Sequence, residues 1–437
     1  MTGREAALQV LTACRKLEAW SDGSLKNAVR SMEQREAAFA ARLTYGVLQN
    51  RALLDFYLSK FCAQDFEKLE PFVRDVLRLG AYQILFMDRV PDSAAVSQAV
   101  EMVKSHKRQR AAGFVNAVLR QLSRNRERLP DIPAENLSAY LSLRYSHPLW
   151  LVERLIGLIG GEEAEAFLRM NNESAPMTIQ RNPLRCTTGE LVQSLEASGV
   201  RFAAHDWLAD CWIVSGTGDL EALPAFQNGW FQVQDAAAKA AVLAMGLKSG
   251  ERVLDVCAAP GGKSFAAAMA MDGQGEIVSC DIHRHKLELI ERSAQRLGIA
   301  CVETVLADGR ENRGEWNGRF DAVICDVPCS GLGIIRKKPD IRYKDPAALA
   351  GLPAVQRAIL DNASRYVKQG GVLLYATCTV LPEENGGVID EFLRSHPSFQ
   401  RESFRLTAEL AGVDGSLTLW PQRHGTDGFY ICKMRKT

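Results

Sequence analysis

The 437-residue chain is 47% hydrophobic and 24% charged, which excludes a disordered, collagen-like or coiled-coil protein and predicts two or three globular domains. Its net charge of +1 excludes a uniformly basic coat for nucleic acid. The charge is uneven, however: residues 1–130 hold 21 basic and 14 acidic side chains, a net +7, so one domain suits a polyanion while the rest does other work.

The first residues, MTGREAALQVLTACRK, have the period of an amphipathic helix rather than of an export signal, and no apolar run is long enough to span a membrane. Helical spacing continues through AAFAARLTYGVLQNRALLDFYLSKF, FVRDVLRLGAYQILFM and AAGFVNAVLRQL. Pro91-Asp92-Ser93 opens a further helix. Residues 1–130 are therefore predicted to be an all-α bundle of six or seven helices. Its last helices carry Lys104, Lys107, Arg108, Arg110, Arg120, Arg124, Arg126 and Arg128, which reads either as a face for RNA or as a solvated helix surface.

From 131 to 234 prolines punctuate the chain. Two helical stretches (PLWLVERLIGLIG and EEAEAFLRMNN) precede strand-like MTIQRN and CWIVSG, with the helix GELVQSLEASG between them. This predicts a small mixed α/β connector. From 235 to 437 the strands RVLDVCAA, GEIVSCD, VETVLAD, FDAVICDVP and GGVLLYATC alternate with the helices SFAAAMAM, RHKLELIERSAQRLG and LPAVQRAILDNASRYVKQG. Such alternation predicts a parallel, doubly wound, Rossmann-like α/β sheet with its ligands at the carboxyl ends of the strands. The eleven cysteines are scattered without metal-ligand spacing, so no metal is expected.

Within LDVCAAPGGKS a strand runs into a glycine turn and then a helix. Gly261 and Gly262 let a ligand approach the backbone, and the helix start offers free N–H groups. Gly262, Lys263 and Ser264 fit the end of a phosphate-cradling loop, but Cys257 stands where its first glycine belongs and Ala258-Ala259-Pro260 would stiffen it. Asp281 ends the next strand, where a carboxylate grips ribose hydroxyls, and Asp308 ends the third, where one meets an adenine amine. A turn followed by these two acids describes a nucleoside cofactor, and S-adenosylmethionine fits better than a nucleoside triphosphate.

The fourth strand ends Asp326-Val327-Pro328-Cys329 and the fifth ends Thr377-Cys378, so two thiols meet one edge of the sheet. Methylating a nitrogen needs no thiol. Carbon 5 of a pyrimidine does, because it becomes nucleophilic only after a thiolate adds to carbon 6. The thiol must be ionised, and Asp326 is placed to supply or relay the proton that N3 takes up.

Together DVCAAPGGKS, DVPCSGLG and LLYATCTVLPEEN resemble the Nop2/Sun group of RNA cytosine-C5 methyltransferases. Residues 1–130, with VPDSAAVSQAVEMVK and FVNAVLR, resemble the helical RNA-binding fold of the antitermination factor NusB. The fusion is similar to bacterial 16S ribosomal RNA methyltransferases over essentially its full length. The resemblance implies that Cys257, Ala258, Ala259, Pro260, Gly261, Gly262 and Lys263, with Asp281, Asp308 and Asp326, bind S-adenosylmethionine. It implies Cys378 as nucleophile and Cys329 as the residue assisting release, with Cys257 no third catalytic thiol. The residues alone favour Cys329, since DNA cytosine methyltransferases attack from the Pro-Cys position; the resemblance decides for Cys378. The whole is expected to be a cytoplasmic, monomeric enzyme acting on 16S ribosomal RNA, naked or in an early assembly state, without metal or membrane. A P-loop NTPase and an antitermination-like RNA-binding factor with a vestigial C-terminal half are the competing readings.

Overall fold

Residues 1–17 and 21–437 are described by the computed structural model. They divide into two units: Met1–Glu173 with Ile335–Lys344, and Ser174–Ile334 with Asp345–Thr437.

In the first unit, seven α-helices are described up to residue 124: Gly3–Leu17, Ser21–Val29, Gln34–Gln49, Arg51–Phe61, Pro71–Phe86, Asp92–Ser105 and Gln109–Arg124. Pro71 starts its helix where a missing N–H costs nothing, and Val76, Leu77, Leu79 and Ala81 bury that helix at the centre of the core. Gly46 is needed where two helices touch, since a Cβ there would lie 1.9 Å from the Tyr82 ring. Helices Leu137–Tyr145, Leu149–Ile159 and Gly161–Met170 complete the unit together with the strap Ile335–Lys344. Arg342 of the strap is fully buried. Its Nη1 donates to the carbonyls of Gln49, Tyr145 and Ser146 at 3.2 Å and to Asn172 Oδ1 at 2.9 Å. Tyr343 Oη donates to the Leu48 carbonyl at 2.7 Å beneath the Arg51 guanidinium.

The second unit opens with strands β1 (Met177–Arg181), β2 (Arg201–Ala204), β3 (Cys211–Ser215) and β4 (Phe231–Val233), which form an antiparallel sheet in the order β2-β3-β1-β4. The helix Thr188–Ala197, started by a reciprocal Thr187–Glu190 capping box, buries Leu191 and Leu195 in the core of this sheet.

The larger sheet is built from β5 (Arg252–Asp255), β6 (Glu276–Asp281), β7 (Val302–Leu306), β8 (Phe320–Asp326), β9 (Val367–Thr377), β10 (Phe399–Arg401), β13 (Ser416–Leu419) and β14 (Phe429–Lys436). Two short strands, β11 (Phe404–Arg405) and β12 (Ala411–Gly412), pair separately. The order is β10-β14-β9-β8-β5-β6-β7, with β13 also on β14. Strands β5 to β9 pair in parallel, and β5, β6 and β8 are buried almost throughout, as strands covered on both faces must be. Helices Gly262–Ala270, Arg284–Leu297 and Leu352–Tyr366 are the crossovers between them.

Two local readings of the sequence need correction. The sheet is mixed rather than wholly parallel, because β14 runs antiparallel to β9, β10 and β13. The link from β13 to β14 is too short for the crossover that a parallel pair requires. The helix predicted through Gly370 stops at Tyr366, where Val367–Gly371 turns into β9 through a bulge. Gly370 adopts φ +76° there, a left-handed conformation that favours glycine.

Candidate active site

Strand β5 delivers the glycine turn. The Ala259–Pro260 peptide is cis, and Gly261 sits at φ +104° with Phe265 where a Cβ would go, so this position accepts only glycine. Below the turn, Asp255 is wholly buried: its Oδ2 accepts from Ser264 Oγ at 2.8 Å, and its Oδ1 has no hydrogen-bond partner. Burial pushes this carboxyl up to about 7, against the opposing pull of the Ser264 hydrogen bond. Burial also pushes the Cys257 thiol well above its ordinary value, so it is no ready nucleophile.

The two acids expected beyond the turn stand at neighbouring strand ends. Asp281 is buried, accepts from the His283 N–H at 2.9 Å and lies 3.7 Å from Lys286 Nζ. Asp308 is taken up by Arg310, whose backbone N–H and guanidinium reach it at 2.6–3.2 Å; these hydrogen bonds hold it below the usual carboxylate range. Beside them lies a pocket of about 350 Å³ lined by Ile282, Leu306, Ala307, Asp308, Glu311, Asn312 and Arg313. Ile282 and Leu306 expose 54% and 47% of their surface, apolar area suited to the faces of a flat base. A glycine turn, a buried acid and a largely polar pocket with two exposed aliphatic side chains fit a nucleoside ligand.

Lys263, the last residue of the expected turn, pairs with a carboxylate. Its ammonium reaches Asp326 Oδ2 at 2.5 Å and lies near enough to Cys378 to feel its charge. Burial disfavours the charge on Lys263, but Asp326 outweighs burial and holds the lysine above its ordinary value. An ammonium so committed is not free to cradle a phosphate, which weighs against an NTPase.

The thiols meet because β8 and β9 are parallel neighbours with Asp326 opposite Ala376. The loops that follow carry Cys329 and Cys378, half-buried, with their sulfurs 3.2 Å apart. The two are not equivalent. Hydrogen bonding to Cys378 and then burial push the Cys329 thiol well above its ordinary value, so Cys329 holds its proton tightly while the two sulfurs share a hydrogen bond. All eleven cysteines are free thiols.

The structure thus gathers Lys263, Asp326, Cys329 and Cys378 in one place, with Ala258, Ala259, Pro260, Gly261 and Gly262 forming the adjoining turn. Asp308 lines the pocket, and Asp281 ends β6 next to its lining residue Ile282. Sequence reasoning missed the groups that hold the two thiol loops together. Glu384 accepts from the Ser330 N–H and from Gln356 Nε2, Ser330 Oγ meets Thr379 Oγ1 at 2.7 Å, and the Gly333 N–H donates to the Cys378 carbonyl at 2.9 Å. The only signal for Glu384 was its place in the Pro-Glu-Glu-Asn run just after Cys378. Among the described residues no group of three or more His, Cys, Asp or Glu is placed to hold a metal, and no helix is long and apolar enough to cross a membrane.

Comparison with known proteins agrees along the whole chain. Residues 1–124 match the NusB family model, 147–221 that of the RsmF/B-like ferredoxin-like domain, and 242–435 that of the 16S rRNA methyltransferases RsmB/F. The chain is 37% identical to "Probable ribosomal RNA small subunit methyltransferase B" of Bacillus subtilis, covering 99% of this chain and 98% of that protein. Its fold is similar to the crystal structure of PH0851 (TM-score 0.84, 26% identity, 99% of this chain and 98% of the other). It is also similar to a methyltransferase homologue from Pyrococcus horikoshii (TM-score 0.60, 26% identity, 68% and 98%).

Proposed function

This chain belongs to the RsmB/F family of methyltransferases, and from that membership we propose that it uses S-adenosylmethionine to form 5-methylcytosine at a specific cytosine of 16S ribosomal RNA. The observation that carries the chemistry is the approach of Cys329 and Cys378 to 3.2 Å, next to the Lys263–Asp326 pair. Methyl transfer to nitrogen or oxygen leaves two such thiols without a task. Transfer to carbon 5 of a pyrimidine uses both.

In this reading Cys378 adds to carbon 6 as thiolate, its charge eased by the Cys329 S–H and the Lys263 ammonium. Asp326, paired with Lys263, would relay a proton to N3, so that carbon 5 gains enamine character. Bound S-adenosylmethionine supplies the electrophilic methyl group. Asp281 would hold its ribose hydroxyls, the pocket beside Ile282 its base, and the 257–262 turn its charged tail. Once Cys378 is spent in a carbon–sulfur bond, it no longer takes the Cys329 hydrogen bond that raises the Cys329 thiol most. Cys329 is then freed to lose its proton and assist release. The NusB-like helices supply the RNA contact, and the enzyme works as a cytoplasmic monomer.

Bisulfite sequencing of ribosomal RNA from cells with and without the protein tests this reading. One protected cytosine in the 16S RNA should lose its protection in the deletion strain. An unchanged 16S pattern would sink the proposal.

A further inference from the structure

Glu384 is 2% exposed and ends the turn Pro382–Glu384 that follows Cys378. Its Oε2 accepts from the Ser330 N–H and from Gln356 Nε2, both at 2.8 Å. The same Gln356 nitrogen donates to the Pro328 carbonyl at 3.0 Å. The backbone on both sides of Cys329 is thereby tied to a carboxylate carried on the Cys378 segment. Tyr375 Oη secures the arrangement by donating to the Glu384 carbonyl at 2.5 Å. Glu384 Oε1 is buried without a hydrogen-bond partner. Burying a carboxylate with an unsatisfied oxygen is costly, and a neutral amide could make the same bonds to Ser330 and Gln356 at lower cost. The clamp holds the backbone on either side of Cys329, and the carboxylate's negative field adds to the upward push on that thiol.

We propose that Glu384 is a positioning residue for product release, holding Cys329 opposite Cys378 and keeping a negative charge beside it. This rests on the reading of Cys329 as the residue that assists release. In that step Cys329, having given its proton to solvent, takes the proton from carbon 5. The carbon–hydrogen pair becomes the C5–C6 double bond, the pair of the C6–sulfur bond returns to Cys378 as thiolate, and N3 gives back the proton it took. A negative neighbour makes the Cys329 sulfur a stronger base for this transfer.

The test compares Cys329→Ser, Glu384→Ala and Glu384→Gln with labelled RNA on denaturing gels after a single turnover. Glu384→Ala should transfer its methyl group yet release RNA on the order of a hundredfold more slowly, as a displacement of about 1 Å at a reacting group allows. Glu384→Gln keeps the acceptor for the Ser330 N–H but leaves a less basic Cys329 sulfur, so release on its high-pH plateau should fall below wild-type yet far less than in Glu384→Ala, with the rising limb of the profile moved to lower pH. A folded Glu384→Ala that releases at the wild-type rate while Cys329→Ser traps RNA overturns the proposal alone. If circular dichroism shows Glu384→Ala unfolded, the pH profile of Glu384→Gln decides, and an unmoved profile overturns it. A Cys329→Ser variant that traps nothing removes the underlying reading instead, and the proposal with it.

Discussion

The N–H of Gly428 donates to the carbonyl of Gly333 at 2.8 Å, and the two backbones are so close that a Cβ on Gly333 would lie 1.9 Å from the Gly428 oxygen. Gly333 in turn donates to the Cys378 carbonyl, so the start of β14 braces the loop that carries Cys378. Gly333→Ala must push these segments apart. We expect a loss of about 1–3 kcal/mol in stability, typical of overpacking. Methyl transfer should fall further than unfolding explains, because the Cys378 loop loses a donor. Thermal unfolding and single-turnover rates measured below the transition would check this; intact turnover in a destabilised protein would count against it.

Asp255 gives a pH dependence with a definite sign. Its carboxyl titrates near 7 in the fold against an ordinary 3.8, because burial opposes its charge. The native state therefore holds this proton more tightly than the unfolded chain. The resulting stability is fully present below pH 3.8 and is lost as pH rises to about 7, a swing on the order of 4 kcal/mol. Asp255→Asn cannot ionise. Its stability relative to the wild type should climb between about pH 4 and 7 and level off above, and parallel unfolding curves across that window would contradict the assignment.

The strands β5, β6 and β8 were legible because each is a short apolar run closed by an aspartate or a glycine turn, and the glycine turn itself was legible because its glycines follow such a strand. Three things were not. Strand β14, FYICKMRK, hides behind its cations: Lys433 is buried and satisfied only by Glu402, on a different stretch of chain. The strap around Arg342 gave no signal, since the carbonyls that accept its hydrogen bonds lie about 170 to 290 residues earlier. Asp308 reads in sequence as a free acid, whereas Arg310 binds it two residues on. In each case the missing information is a partner that periodicity cannot name.

Asp281 should matter to cofactor and not to fold. Its second oxygen has only Lys286 at 3.7 Å, leaving it able to accept from ribose hydroxyls. Asp281→Ala should weaken S-adenosylmethionine binding by roughly ten- to a hundredfold, the cost of removing charge-assisted hydrogen bonds. Calorimetry reads this directly. Unchanged affinity would move the ribose elsewhere, and binding of ATP instead would return the P-loop reading.

The basic run at the end of the helical bundle is open to solvent: Arg124, Arg126 and Arg128 are all exposed. Arg126 is partly neutralised by Asp92 at 3.3 Å and Glu127 at 3.4 Å, so Arg124 and Arg128 should carry more of any RNA binding. Removing one cation that pairs with a phosphate reduces the salt slope of RNA binding by about 1. Replacing Arg124 and Arg128 with Gln should flatten that slope by up to roughly 2, and Arg126→Gln should do less. Cofactor affinity should not change. A slope that stays put would leave this run as a solvated helix surface.

The two sulfurs separate by when each is needed. In the proposed reaction Cys378 makes the bond to carbon 6, and a serine hydroxyl is far too weak a nucleophile at neutral pH to replace it. Cys378→Ser should therefore bind RNA but form no adduct and transfer no methyl group. The Cys329 thiol is held well above its ordinary value, so in that reaction it takes no part in the attack beyond its hydrogen bond. Its task comes after methylation. Cys329→Ser should transfer one methyl group, somewhat slowly for want of the S–H donor, and then stall as a covalent protein–RNA complex that survives denaturing electrophoresis. The base must leave its stack to reach these sulfurs, so a single-stranded RNA segment is the better substrate for the assay. The opposite assignment, with Cys329 as nucleophile, predicts the reverse: a trapped complex with Cys378→Ser and none with Cys329→Ser. That outcome would mean that the proton on Cys329 is lost more readily than its hydrogen bond and burial allow, and that the roles of the two thiols are exchanged.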